Sequence, residues 1–477
     1  MRAFLTILLS LSLITPALFA QEGGESSGNG DTETATGPQA ADGGAEFAFG
    51  LDLGIGVQTY EDPDNGETET YQSLSILPEF SLGKFGLGLD LTLNYSFTEG
   101  SGGDEFGVRD EDWVPQEGVN FLELYLPKFR YVRYGVKGEP LFALLGSYSD
   151  ARLGNGFLVS NYSNELFLPE RRQFGLQLDV DGAGANFPYL GMESFVSNVA
   201  SFDLLGTRLF LRPLADLQLP LLSQLELGGT VVIDTNPAYQ AEKDPDSPYF
   251  DGADPSPSAG LPAVESGDNV LVYGFDLTQP ILRREMLSLD GFGDVAFQNE
   301  AVGGMIGAGG RAIRILDYNA QLRILGDNFI PGYFDSSYDL TRIDRYIVYD
   351  TESTLIEGYL GWYGQLGLNI FQELLLLQLT MSGPFTSDTD VYPELEGVLR
   401  VNQGVIPFFS LDAFYRKLVI REPSDIFEPE ESIIGARLSY HSSPVVVSLT
   451  YNLRYDPYDP DDPWKVSSGL QSTISLN

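Results

Sequence analysis

The sequence predicts an all-β chain closed into a transmembrane antiparallel β-barrel of about 16–20 strands. Three observations lead there. Apolar and polar residues alternate with period two, the alternating runs are often about ten to fourteen residues long, and the connections between them are alternately long and short.

The alternation is clearest at 85–97. Phe85, Leu87, Leu89, Leu91, Leu93, Tyr95 and Phe97 share one face, and Gly86, Gly88, Asp90, Thr92, Asn94 and Ser96 share the other. Successive side chains of a strand point to opposite faces, so this run has one greasy side and one small or polar side. Phe47, Phe49, Leu51, Leu53, Ile55 and Val57 repeat the pattern, as do Phe174, Leu176, Leu178 and Val180 against Gln177 and Asp179. Val445, Val447, Leu449, Tyr451 and Leu453 do so near the end. A soluble sheet packed on one side also alternates. Run length, a polar face rich in Gly, Asn, Gln, Asp and Arg, and aromatics at strand ends (Tyr60, Tyr71, Tyr95, Phe97, Tyr451, Tyr455) favour a bilayer-spanning wall.

Candidate strands fall at 46–60, 71–82, 85–97, 119–134, 139–148, 172–181, 190–199, 203–213, 222–234, 269–279, 286–298, 302–315 and 318–326. They continue at 355–370, 373–382, 392–402, 407–418, 432–441, 444–455 and 468–477. From 355 onward, short turns at Phe371-Gln372 and His441–Pro444 alternate with long acidic or Pro-rich connections at 383–391, 419–431 and 456–467. A membrane barrel has short turns at one end and long loops at the other.

The ends and the composition add limits. Met1-Arg2 followed by the apolar stretch Ala3–Ala20 reads as a signal peptide over 1–20, and the Gly/Ser/acidic stretch 21–45 as a flexible lead-in to a single barrel over 46–477. The 477 residues hold 27 Lys and Arg against 68 Asp and Glu, a net charge of −41, which gives nucleic acid no basic footprint. With no cysteine and one histidine, His441, thiolate or multi-histidine metal sites and cysteine catalysis are excluded. No catalytic residues, cofactor or metal are therefore expected. The acidic clusters Asp62/Asp64/Glu67, Asp244/Asp246/Asp251/Asp254, Asp388/Asp390 and Asp456/Asp459/Asp461/Asp462 match no complete calcium loop and read as solvated loop charge. The glycines from Gly303 to Gly310 lack a strand–helix context for a nucleotide and read as a device for curvature or close packing.

On these residues the chain resembles Gram-negative outer-membrane β-barrel proteins of the porin kind, over about 46–477. The likeness is one of architecture, without a specific family fingerprint. Such chains usually end in Phe or Trp, whereas this one ends Ile474-Ser-Leu476-Asn477. The resemblance implies a cell outer-membrane location, the lipid bilayer and the outer-membrane assembly machinery as partners, and a monomer or homo-oligomer. It also implies passive diffusion of small hydrophilic solutes. The alternatives are a surface-exposed structural or binding barrel without an open channel, and a secreted soluble all-β binding protein.

The expected lumen or constriction residues are the arginines on polar strand faces and the acids able to pair with them. On the strands they are Arg208, Arg212, Arg314, Arg323, Arg400, Arg416, Arg437 and Arg454, with Asp90, Asp179, Glu226, Asp276, Asp290, Asp294, Glu357, Glu394 and Glu396 as the acids; the pair Arg171-Arg172 is expected to hold an inward loop or line the constriction. Two segments interrupt the strand rhythm. The first, Leu153–Phe157 through Asn161–Asn164 to Arg171-Arg172, reads as a loop folded into the lumen or as an ordinary outer loop. The second, Asp327–Asp335 with Tyr338, Arg342 and Arg345, reads as a segment that packs on the first or covers the pore mouth.

Overall fold

The computed structural model describes residues 47–61, 68–100, 103–115, 121–166, 172–217, 219–237, 269–370, 374–386, 389, 391–455 and 464–475. The expected signal peptide and lead-in, the four acidic clusters and Arg171 lie outside the described residues.

The strands in chain order are β1 (Phe47–Glu61), β2 (Thr68–Leu82), β3 (Phe85–Leu89), β4 (Leu91–Gly100), β5 (Gly103–Val108), β6 (Phe129–Tyr134), β7 (Leu141–Gly146), β8 (Val159–Ser160), β9 (Gly175–Asp181), β10 (Leu190–Val196), β11 (Leu204–Leu211) and β12 (Glu226–Asp234). They continue with β13 (Val270–Arg284), β14 (Leu287–Gln298), β15 (Ala301–Ala312), β16 (Leu316–Leu325), β17 (Phe334–Asp335), β18 (Tyr359–Ile370), β19 (Leu375–Pro384), β20 (Glu394–Ile406), β21 (Phe409–Lys417), β22 (Ser432–Ser442), β23 (Val445–Tyr455) and β24 (Trp464–Ser475).

All but β8 and β17 belong to one antiparallel sheet of 22 strands. It closes where β1 pairs with β24, from Asp52↔Ser475 to Gln58↔Gly469. β3 and β4 lie end to end along β2, and β5 and β6 lie end to end along β4 and β3. Each of these two collinear pairs fills one place in the wall, so the 22 strands make twenty places. That even number is the upper end of the expected range, and it suits a single-chain barrel.

The pleat sorts the side chains. Ile55, Phe275, Ile306, Leu322, Leu360 and Leu366 stand exposed on the outer face, while Ser73, Ser75, Asn94, Gln177, Gln298 and Gln321 are buried on the inner one. In water so broad an apolar surface would be untenable, whereas lipid is its natural contact. Together with closure, which pairs backbone groups across the strands, this makes the wall a transmembrane barrel.

Three expectations are corrected. The segment 119–134 is not one strand. Phe121–Tyr125 is a helical turn whose terminal rings sit 4.5 Å apart, Leu126–Lys128 is a 3-10 turn containing Pro127, and only Phe129 onward joins the wall. Proline has no N–H for a ladder, so the strand starts after it. Arg314 is not in the lumen. It sits in the short β15–β16 turn with φ +65°, its side chain 60% exposed and ion-paired with Glu285. Ile313 and Arg314 both adopt left-handed backbone, which ends the strand at Ala312, three residues before the expected 315. Glu357 precedes β18 and is exposed, so it does not occupy an inward strand position.

Short turns such as Gly83-Lys84, Glu285-Met286 and Ser443-Pro444 mark one end of the barrel. At the other end, two long connections enter the interior. Residues 147–166 and 172–174, between β7 and β9, form the described part of the first insertion, and residues 326–358, between β16 and β18, form the second. The hydrophobic core lies where they meet. Tyr148, Phe157, Leu158 and Tyr162 pack with Phe329, Tyr333, Phe334 and Tyr338, against the inward Phe195, Val232, Val272 and Met305 of the wall. Gly303 lets the second insertion approach the wall, because a Cβ there would collide with the Phe329 ring.

Placing a charge on the outer face should therefore cost far more than placing it inside. Ile306→Arg, mid-strand in β15, is expected to destabilise the barrel by about 2–4 kcal/mol, and Thr450→Arg, facing the lumen, by about 1 kcal/mol or less. Urea unfolding of lipid-refolded protein checks the pair.

Candidate functional site

The two insertions are joined before they touch the wall. β8 and β17 pair in parallel, Val159↔Phe334 and Ser160↔Asp335. Gly332 N donates to Phe157 O at 2.8 Å, and the Phe157 and Phe329 rings stack at 5.3 Å. Of the readings left open for the two segments, the inward loop and the packed partner are the ones observed.

Ionic clasps then fix this body to the wall. The helix Tyr338–Asp350 of the second insertion carries Arg342, which is 2% exposed. Its Nη2 donates to Asp234 at 2.5 Å, and its Nη1 to Asp203 at 3.1 Å. Tyr338 also donates to Asp234 at 2.5 Å. Burial opposes ionisation of Asp203, yet Arg342 and Ser201 hold its carboxyl below the usual range. A second clasp centres on Asp335, which accepts from Arg345 at 2.9 Å and from Arg416 of β21 at 2.7 Å. Burial again opposes the charge, and Arg345 and Arg416 overcome it, so the Asp335 carboxyl is held down to about 2. Arg416 reaches Glu394 and Glu396 of β20 as well, each at 3.0 Å.

The first insertion is held by hydrogen bonds along the wall. Gly154 N donates to Glu193 at 2.8 Å, Asn155 bridges Asp294 at 3.2 Å and Thr278 at 3.0 Å, and Asn161 donates to Glu396 at 3.2 Å. Gly154 has φ +54° and faces Arg208 closely, so both its backbone and its missing side chain are required.

A cavity of about 970 Å³ lies between the first insertion and the wall from β19 round to β4. At one level, cross-strand pairing sets Arg400, Asp412, Arg437, Thr450 and Gly469 side by side. Arg400 bonds Asp412 at 3.0 Å, while Arg437 is exposed to the cavity and forms no ion pair among the described residues. Arg172 and Asp90 pair at 2.7 Å on the opposite side, and Arg454 lines the cavity too. Glu165 of the first insertion faces this group. Its carboxyl is pushed up to about 7 by burial, against the pull of Arg437, Arg172 and Arg400.

The other expected residues sit elsewhere. Arg208 is 1% exposed and pairs with Asp276 at 2.6 Å, Glu226 at 2.8 Å and Glu193 at 3.2 Å, beneath the first insertion. Arg212 pairs with Asp181 at 2.9 Å and Glu226 at 3.1 Å, near the short-turn end. Asp179 lies on β9 opposite Glu193 of β10. Arg323 faces a separate cavity behind the second insertion. Asp203, Asp234, Glu165 and Asp412 were missed by sequence reasoning. The only signal for the first two was a carboxylate at the end of an apolar strand run.

His441 Nε2 lies 2.8 Å from Ser410 Oγ at the short-turn end. Among the described residues no group of three or more His, Asp or Glu side chains is arranged to hold a metal ion.

No family model matches the chain, and no curated protein matches it. Several solved structures align with most of the chain at low identity. Acinetobacter baumannii OccAB3 shares 11% identity and a TM-score of 0.33, over 91% of this chain and 99% of that one. Pseudomonas aeruginosa OccK2, solved in complex with glucuronate, shares 10% and 0.30, over 90% and 98%. CdiB from Acinetobacter baumannii shares 8% and 0.25, over 90% of this chain, which spans 60% of CdiB's length. Nothing about solutes or residue roles follows at these values.

Removing Arg342 leaves Asp203 and Asp234 buried without their counter-charge. Arg342→Ala is expected to destabilise the second insertion by about 3–5 kcal/mol, and Arg342→Lys by less. Protease cutting within 326–358, followed on the otherwise intact barrel, measures this.

Proposed function

We propose that this chain is an outer-membrane channel, inserted by the outer-membrane assembly machinery, that lets small hydrophilic solutes diffuse passively across the membrane. The observation that carries the reading is the polar cavity left beside the insertions, with Arg400, Arg437, Arg454 and Arg172 interleaved with Asp90, Asp412 and Glu165 along its sides. A permanently filled barrel has no use for a charged passage. Interleaved charges also hydrate a path without binding either ion sign strongly. Diffusion requires no chemistry from the protein.

Planar-bilayer recording of the full chain tests this, with discrete conductance steps expected. Their absence would favour the alternative, a binding or structural barrel closed by its insertions. Arg437→Gln is expected to move the reversal potential in a salt gradient toward cation preference, because it removes a positive charge that forms no ion pair among the described residues.

The channel should also respond to pH. Glu165 is an acid whose carboxyl titrates near 7, so it is mostly neutral below that value and negative above it. Cation preference is therefore expected to rise between about pH 5.5 and about pH 8.5, and Glu165→Gln to flatten that rise. An unchanged slope in the variant would count against Glu165 as the titrating group.

A further inference from the structure

The buried arginines of the interior are not treated alike. Arg208, Arg342 and Arg416 each face two or three carboxylates. Arg323 of β16 is buried to a similar degree, 6% exposed, and forms no ion pair among the described residues. A guanidinium taken out of water without a counter-charge is costly, so something should compensate it.

Its setting shows which part of the side chain is spoken for. Nε donates to Gln321 Oε1 at 3.1 Å, and the guanidinium lies 4.5 Å over the Tyr363 ring. Both contacts fix the plane of the group. Neither Nη has a hydrogen-bond partner among the described residues. The result is a held fork with its two outer nitrogens unoccupied, the geometry that receives an oxyanion through two parallel bonds.

Arg323 lines a cavity of about 320 Å³ behind the second insertion, near the long-loop end. Phe329, Ile330, Pro331, Leu355 and Tyr359 supply apolar or ring surface around it. The cavity's acids limit the charge of an occupant. Asp335 is engaged by Arg345 and Arg416, Glu394 by Arg416 and Ser382, and Glu357 is exposed at the edge. One cation is open and three carboxylates surround it, so a monoanion fits and a dianion is repelled.

We propose that Arg323 heads a second binding site, separate from the large cavity, for a small monoanionic carboxylate with an apolar or ring-shaped body. The carboxylate would lie across the two Nη groups and the body against Phe329 and Tyr359. The site does not depend on the barrel being open.

Isothermal titration calorimetry on the full, detergent-folded chain tests it, with benzoate as the probe. Benzoate should bind the wild type, and Arg323→Gln should weaken it at least about tenfold. Arg323→Lys, which keeps the charge and loses the fork, should fall between the two. Benzyl alcohol, with the ring and no charge, and inorganic phosphate as a dianion should both bind more weakly than benzoate. Arg311→Gln, at an exposed ion pair near the short-turn end, should bind like the wild type. Heat-modifiable migration and circular dichroism confirm that each variant is folded. Absent benzoate heat in the wild type, equal affinity in folded Arg323→Gln, or phosphate binding more tightly than benzoate would overturn the proposal. So would loss of binding in Arg437→Gln with Arg323→Gln unaffected, which would put benzoate in the large cavity. Because the readout is heat of binding, a barrel that conducts nothing in the bilayer leaves the result equally decisive.

Discussion

A backbone N–H or C=O inside hydrocarbon has no water to turn to, and the pairing of β1 with β24 is the bond set that closes the wall on itself. Once the ring is closed, the period-two pleat divides every strand between two solvents. Ile306 and Leu322 must meet lipid, and Gln321 and Arg323, one residue away, must meet the interior. Neither face can be exchanged for the other without moving a whole strand by one register. The charge in the lumen is therefore a consequence of closure, because the inward half of each strand is the half that tolerates it.

Where the insertions meet the wall, carboxylates outnumber arginines. The wall meets this by grouping acids around few cations. Arg208 and Arg416 each serve three carboxylates, and Arg342 serves two. These clusters lie where an insertion meets the wall, and a missing arginine there would leave several carboxylates facing one another at low dielectric. The clasps thus do more than attach the insertions. They are the condition under which so acidic a chain can fill part of its own barrel. Arg437 and Arg323 depart from the pattern, one open to the large cavity and one held in the small one.

Much of the wall was legible because alternation is a local property. The runs at 85–97, 172–181 and 444–455 announce their two faces residue by residue, and adding such runs gives the range of about 16–20 strands whose upper end the wall occupies. Reading failed where a local break interrupts the period. Pro127 turns an expected strand into a helical excursion, and left-handed backbone at Ile313 and Arg314 carries an apparently inward arginine out to Glu285. Arg208, Arg400 and Arg416 were legible as inward residues, and Glu226, Asp276, Glu394 and Glu396 as acids able to pair with them, but which acid meets which arginine was not, and Glu193 and Asp412 went unread. Glu193, Asp276 and Asp412 come from other strands, and a partner across the sheet is fixed by register rather than by spacing.

The sequence by itself determined the class of wall: the period, the apolar outer face, a strand count of about 16–20 and the two segments that do not fit it. These need only the geometry of one strand and the lengths between strands. The tertiary structure alone decided that the two odd segments, more than 150 residues apart, meet as β8 and β17 and share one core. It also decided that Asp203 and Asp234 converge on Arg342, and that Arg323 forms no ion pair among the described residues. The reason is physical. Alternation is encoded in neighbours along the chain, whereas a buried charge finds its partner only after closure has brought distant strands and insertions into one enclosed volume.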